Sequence, residues 1–180
     1  SKGHTRFYLN NEPVFLTGIL DQGYISDGYY TYPSDSAMIF DLTLIKELGF
    51  NMVRKHVKQE NRRWYYHCDT MGLLVFQDMM NGGKPAELMS LQHVLGMYDF
   101  NINDNKYHKF GRVKEESRNM YYKELNDMIL TLYNNTSVVC WVSFNEGWGQ
   151  FDSNSVYKYN KKIDSTRLVD STSGWFDQGL

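Results

Sequence analysis

An alternation in the sequence constrains the fold more than any other feature. Short apolar runs end in polar residues, and segments of helical spacing separate one run from the next. Phe50-Asn51-Met52-Val53 releases Arg54-Lys55-His56, and Leu73-Leu74-Val75-Phe76 releases Gln77 and Asp78. Val138-Val139-Cys140-Trp141-Val142 runs on through Ser143-Phe144 to Asn145-Glu146-Gly147-Trp148-Gly149, and Arg167-Leu168-Val169-Asp170 reads as one more strand. Upstream, Phe7-Tyr8-Leu9 and Val14-Phe15-Leu16 flank the turn signal Asn10-Asn11-Glu12-Pro13. They predict a hairpin whose second arm continues into a buried first strand ending near Gly18-Ile19-Leu20.

Helices fill the intervals. Ser34 offers an N-cap with Asp35 in the first turn, and Met38, Ile39, Leu42, Ile45 and Leu48 follow at helical spacing up to Gly49. Asn61 opens a second helix carrying Trp64, Tyr65, Cys68 and Met71, which Gly72 closes. A third, over 114–133, presents Met120, Tyr121, Leu125, Met128, Ile129 and Leu132 on one face, and a fourth spans 153–163. Asp21 to Pro33 reads as a long loop, and 79–112 as a longer irregular one.

Strand and helix in this order imply a parallel α/β sheet with right-handed crossovers. A doubly wound sheet commonly carries a Gly-rich phosphate loop, and no GxGxxG or P-loop pattern follows the first strand. A (β/α)8 TIM barrel fits better, because polar residues leave every strand end. Barrels usually take ~250 residues. The 180 residues therefore read as a single partial TIM barrel, the first five βα units, with residues 1–18 as hairpin arm and first strand.

The formal charge of −2 gives no electrostatic case for nucleic acid or an anionic membrane, and no run is long and apolar enough to span a bilayer. Cys68 and Cys140 lack metal-like spacing and are expected as buried free thiols, which leaves the compartment open. The chemistry concentrates at Asn145-Glu146. A carboxylate at the end of a rigid strand, beside an amide that can hold a hydroxyl and a tryptophan that can stack on a sugar, suggests glycosidic bond cleavage.

Five segments in order resemble the catalytic barrel of glycoside hydrolase family 2, which includes β-galactosidases, β-glucuronidases and β-mannosidases. They are Phe7-Tyr8-Leu9-Asn10 with Pro13 and Gly18; Leu48 to Arg54; Trp64 to Asp69; Gly72 to Val75; and Trp141 to Glu146. The resemblance implies that Glu146 is the general acid/base, that Asn145 holds the sugar's 2-hydroxyl, and that Arg54 braces the catalytic carboxylates. His56 either touches substrate or satisfies a loop, and Asp78 either binds sugar hydroxyls or orients Arg54. Asp21 and Trp148 are candidate cleft residues by position alone, and Trp175 either stacks on sugar or packs in the core. The family's better-known members often carry an acidic residue after the aspartate, where this chain has Met79-Met80, so no metal contact is transferred there.

The resemblance further implies a retaining exo-β-glycosidase acting on a carbohydrate β-glycoside with no organic cofactor. Its nucleophile, a glutamate at the end of strand seven, would lie beyond Leu180, so the chain alone is expected to be inactive. The rest of the barrel and upstream sandwich domains are the expected partners. An endo-acting glycanase of a related barrel family is one alternative, against which the opening hairpin counts. A non-catalytic carbohydrate-binding barrel remnant is the other. The sugar stays open.

Overall fold

The structure, a computed structural model, describes residues 3, 5–84 and 102–179. Half of the predicted loop 79–112 (85–101) thus lies outside the described residues. Strands β1 (Phe7–Leu9) and β2 (Glu12–Val14) pair antiparallel, with Phe7 opposite Val14 and Leu9 opposite Glu12. Asn10 and Asn11 join them at φ of 51° and 68°. A two-residue hairpin loop needs this left-handed pair, and asparagine tolerates it.

The second arm does not continue into the first sheet strand, contrary to the sequence expectation. It stops at Val14, and strand β3 (Gly18–Asp21) belongs to a separate sheet. Asn51 explains the break. Its Nδ2 donates to Phe15 O at 2.8 Å and its Oδ1 accepts from Thr17 N at 2.9 Å, so one amide clamps the intervening segment. Nor is β3 buried, since it is an edge strand with Leu20 52% exposed.

The main sheet runs β3-β4-β5-β6-β7, every neighbouring pair parallel, with β4 at Met52–Lys55, β5 at Leu74–Asp78, β6 at Val138–Val142 and β7 at Leu168–Asp170. Strand order equals chain order, as in an opened TIM barrel. Helices α1 (Asp35–Glu47), α2 (Arg62–Met71), α3 (Glu115–Leu132) and α4 (Ser153–Ile163) fill the crossovers. Ser34 Oγ caps α1 through Ala37 N, Asn61 Oδ1 caps α2 through Arg63 N, and Gly72 ends α2 at φ 65°. Among the described residues no helix is long and apolar enough to cross a membrane.

Strand periodicity divides the sheet into two faces. Val53 pairs with Val75, Lys55 with Gln77, Gln77 with Trp141, and Trp141 with Val169. This is the outer face, where Val53, Val75 and Trp141 pack with Leu42, Trp64, Cys68, Leu125, Ile129 and Val156 from the helices in one core. Burying a side chain of this size is worth about 1.5–3 kcal/mol. The inner face carries Met52, Arg54, Leu74, Phe76, Asp78, Cys140, Leu168 and Asp170. The hairpin leans on it, with the Phe7 and Phe76 rings 6.3 Å apart, beside an open apolar cleft of about 710 Å³.

Three helix positions expected to face the core do not. Ile39, Leu48 and Met120 are exposed, because α1 and α3 each bury a narrower stripe than their apolar residues suggest. Cys68 and Cys140 are free and buried, and burial pushes the Cys140 thiol up to about 12.

Candidate active site

Arg54, Lys55, Gln77 and Asp78 lie within strands, not just past them as the sequence suggested. Their polar groups prolong the ladder because alternate positions find partners on the two faces. On the inner face, Arg54 Nε and Nη2 hold both oxygens of Asp78, at 2.9 and 3.0 Å. Nη2 also reaches Asn145 Oδ1 at 2.9 Å, and Nη1 reaches Ser173 Oγ at 2.7 Å. Four segments therefore meet at one guanidinium, whose planar fork suits such bidentate pairing.

Asp78 is fully buried and also accepts from Val57 N at 3.3 Å. Burial pushes its carboxyl up, against the opposing pull of Arg54. Asp170, at the end of β7 on the same face, is likewise pushed up by burial, with Arg54 again opposing.

Glu146 stands apart from this cluster. Its backbone is left-handed at φ 52°, and its N–H donates to Ser173 O at 2.9 Å. The residue is exposed. Among the described residues its carboxylate makes no hydrogen bond or ion pair, with Arg54 or any other group. The centre thus joins Arg54, Asp78 and Asn145, with Glu146 one residue on.

Aromatics anchor the segment below Glu146. Phe144 stacks on Tyr121 at 5.0 Å and meets Phe151 at 5.5 Å. Gly147, at φ 72°, sits where a Cβ would fall 2.6 Å from the Phe176 ring. Arg112 Nε donates to Gly149 O at 3.1 Å, fastening the far side of the turn. Trp148 is 36% exposed beside Glu146. Trp175 is partly buried, packed against Ile102, Phe110 and Phe176.

Two further candidates lie off this centre. Asp21 pairs in register with Lys55 on the outer face, and its Oδ2 takes Lys55 Nζ at 2.6 Å. It belongs to a buried ionic set and not to the inner-face cleft. In that set Lys55 and Lys58 both reach Glu60 Oε1, at 3.0 and 2.6 Å. His56 Nδ1 lies 3.3 Å from Gln22 Nε2, in a small recess with Tyr24 and Tyr30. Sequence reading missed Ser173, Phe110, Arg112, Phe176, Lys58 and Glu60. All but Glu60, whose partners Lys55, Lys58 and Tyr65 lie within five residues, work through partners far away in the chain, and the left-handed Gly111, Gly147, Gly149 and Gly174 are the local hints of tightly packed turns.

Among the described residues no group of three or more His, Cys, Asp or Glu could hold a metal ion.

Residues 3–178 match the family described as Glycosyl hydrolases family 2, TIM barrel domain. A β-galactosidase of Leuconostoc mesenteroides subsp. mesenteroides is 26% identical over 173 residues, covering 94% of this chain and 14% of that protein. Among solved structures, a GH2 β-galacturonidase from Eisenbergiella tayi bound to galacturonate superposes with a TM-score of 0.69 at 20% identity, covering 91% of this chain and 26% of that one. A Bacteroides uniformis β-glucuronidase covalently bound to cyclophellitol-6-carboxylate aziridine gives 0.67 at 19% identity, covering 91% and 19%. At such identity these two structures speak to the fold alone. The chain spans about 14% of the length of the curated relatives it matches.

Proposed function

The chain belongs to the family 2 glycosyl hydrolases through their TIM barrel domain, and on that premise we propose that it carries the acid/base side of a retaining exo-β-glycosidase centre. Glu146 protonates the glycosidic oxygen as the anomeric C–O bond breaks and a second carboxylate attacks the anomeric carbon. Water then attacks the glycosyl ester, and Glu146 takes its proton. The exposure of Glu146 suits a group that must meet both a leaving oxygen and water.

The observation that carries this reading is the fixed amide of Asn145. Arg54 Nη2 donates to its Oδ1, which leaves Nδ2 as the group free to donate to a sugar hydroxyl. Such a hydrogen bond to the 2-hydroxyl strengthens as the oxocarbenium-like state forms. Asp78 is held by the Arg54 fork and Val57 N, so it serves to orient the arginine and not to attack. The attacking carboxylate must lie about 5–5.5 Å from the acid/base, and we assign it outside these 180 residues. On this reading the isolated chain hydrolyses nothing.

Glu146→Gln in the full-length protein is the test. Turnover of phenyl β-glycosides, tried as galactoside, glucuronide and galacturonide, should fall by roughly 10²–10⁴-fold. Unchanged turnover would remove Glu146 from the reaction. The unpartnered carboxylate of Glu146 favours one second reading, a barrel that binds carbohydrate without cleaving it. Binding of those sugars by a full-length protein that turns over none of the glycosides would select it.

A further inference from the structure

We infer that Ser173 is a positioning residue that sets the direction of Glu146 and ties it to the Arg54 centre; this rests on the acid/base reading of Glu146. The β6–β7 ladder ends where Val142 pairs with Asp170 and resumes for one parallel bridge, Asn145 with Ser173. At that bridge Ser173 N donates to Phe144 O at 2.9 Å, and Ser173 O accepts from Glu146 N at 2.9 Å. The backbone on both sides of Asn145 is therefore held by one residue. The same residue's Oγ accepts from Arg54 Nη1 at 2.7 Å, on the guanidinium that also holds Asn145 Oδ1 and Asp78.

This double attachment matters because nothing else described steers the carboxylate. Glu146 makes no side-chain hydrogen bond or ion pair among the described residues. Its direction follows from its backbone, left-handed at φ 52° and costly for a residue with a Cβ. Ser173 O holds the N–H of that strained residue. Gly174 follows at φ 94°, and a Cβ there would lie 3.7 Å from Glu146 Cγ, so the 173–174 backbone also flanks the side chain. Releasing Oγ from Arg54 frees the bridge to shift, and Glu146 shifts with it. A misplacement near 1 Å can cost about 10²-fold in rate.

The test compares leaving groups in the full-length protein. Ser173→Ala removes only the Oγ contact. A misplaced acid should slow phenyl glycosides, whose leaving oxygen needs a proton, by about tenfold in kcat with KM little changed. Dinitrophenyl glycosides, which leave without protonation, should lose less than about threefold in the bond-breaking step. Ser173→Thr, which keeps the hydroxyl, should recover most of the phenyl rate. Ser173→Cys, a weaker acceptor, should fall between, and it serves if Ser173→Ala fails to fold. Equal losses for both leaving groups would mean a merely structural role and overturn the proposal. So would a wild-type phenyl rate in Ser173→Ala where Glu146→Gln is inactive. If Glu146→Gln itself keeps full turnover, the acid/base reading has failed and takes the proposal with it.

Discussion

The two faces of the five-stranded sheet are built from alternate residues of the same strands, yet they treat charge in opposite ways. On the outer face Lys55, Lys58, Glu60 and Asp21 form a closed set of two cations and two anions. Lys55 Nζ reaches both carboxylates and lies 4.4 Å from the Trp64 ring, while Lys58 Nζ also donates to Gly23 O and Tyr30 O. Tyr65 and Gln77 complete the network with Lys58 O and Glu60 N. On the inner face Arg54 pairs with Asp78, and beyond the strand end the Glu146 carboxylate makes no hydrogen bond or ion pair among the described residues. A set of charges that satisfies itself supports the fold. On the proposed reading, the carboxylate left open beside the Arg54 centre is the one available to a substrate.

The outer set offers the largest effect. Glu60→Ala would leave Lys58 without its carboxylate and Lys55 with Asp21 alone. Removing one partner of a buried ion pair costs about 3–5 kcal/mol, to be read as a lowered urea midpoint. Activity per folded molecule in the full-length protein should hold. A large loss of kcat in well-folded Glu60→Ala would break the division between the faces.

Two aspartates sharpen the same comparison through pH. Asp164, sealed beneath Trp141, is pushed up by burial, but hydrogen bonds from Thr166, Arg167 and Trp141 outweigh this and hold its carboxyl below the usual range. A depressed folded pKa adds stability that is present above the unfolded value of about 3.9 and lost as pH falls through the folded one. Asp78 has the opposite sign. Its raised pKa favours the fold below about 3.9, and that contribution is lost as pH rises through the folded value. In melts across pH 2–7, Asp164→Asn should lose most, relative to the wild type, at neutral pH and approach it in acid. Asp78→Asn should gain relative to the wild type as pH rises past the ordinary carboxylate range. Parallel profiles would show that the two faces do not differ in this respect.

Sequence made the apolar packing of the outer face legible, and its ionic set and the inner face only partly so. Helical spacing, Ser34, Asn61 and Gly72 located the helices, and the apolar runs located β4 to β7, because burial under helices demands hydrophobic residues, whereas the exposed edge strand β3 was misread as a buried continuation of the hairpin. The strand ends were misplaced at Arg54-Lys55 and Gln77-Asp78, since a charged residue reads as a stop unless its partner across the sheet is known. Asp21 illustrates the limit: position suggested a cleft, but period-2 register with Lys55 sends it outward. Ser173 was invisible because its peptide groups do most of its work, and peptide groups leave no mark in a sequence.

The smallest effect tests what lies over the inner face. Leu20, on edge strand β3, is 52% exposed beside Arg54 in the ladder, whereas Leu125 on the helix side is sealed. In the 180-residue chain Leu20→Ser should change stability by no more than about 0.5 kcal/mol, as for other exposed positions. A closed barrel would place a further strand beside β3 and side chains over Leu20, since barrel interiors are packed layers and not pores. In the full-length protein the same substitution should then cost about 1.5–3 kcal/mol, the value of a buried leucine. The difference between the two melts measures how far the inner face is completed by other residues. Equal small losses would mean that Leu20 faces solvent in both, and that the Arg54 centre opens sideways as well as at the strand ends.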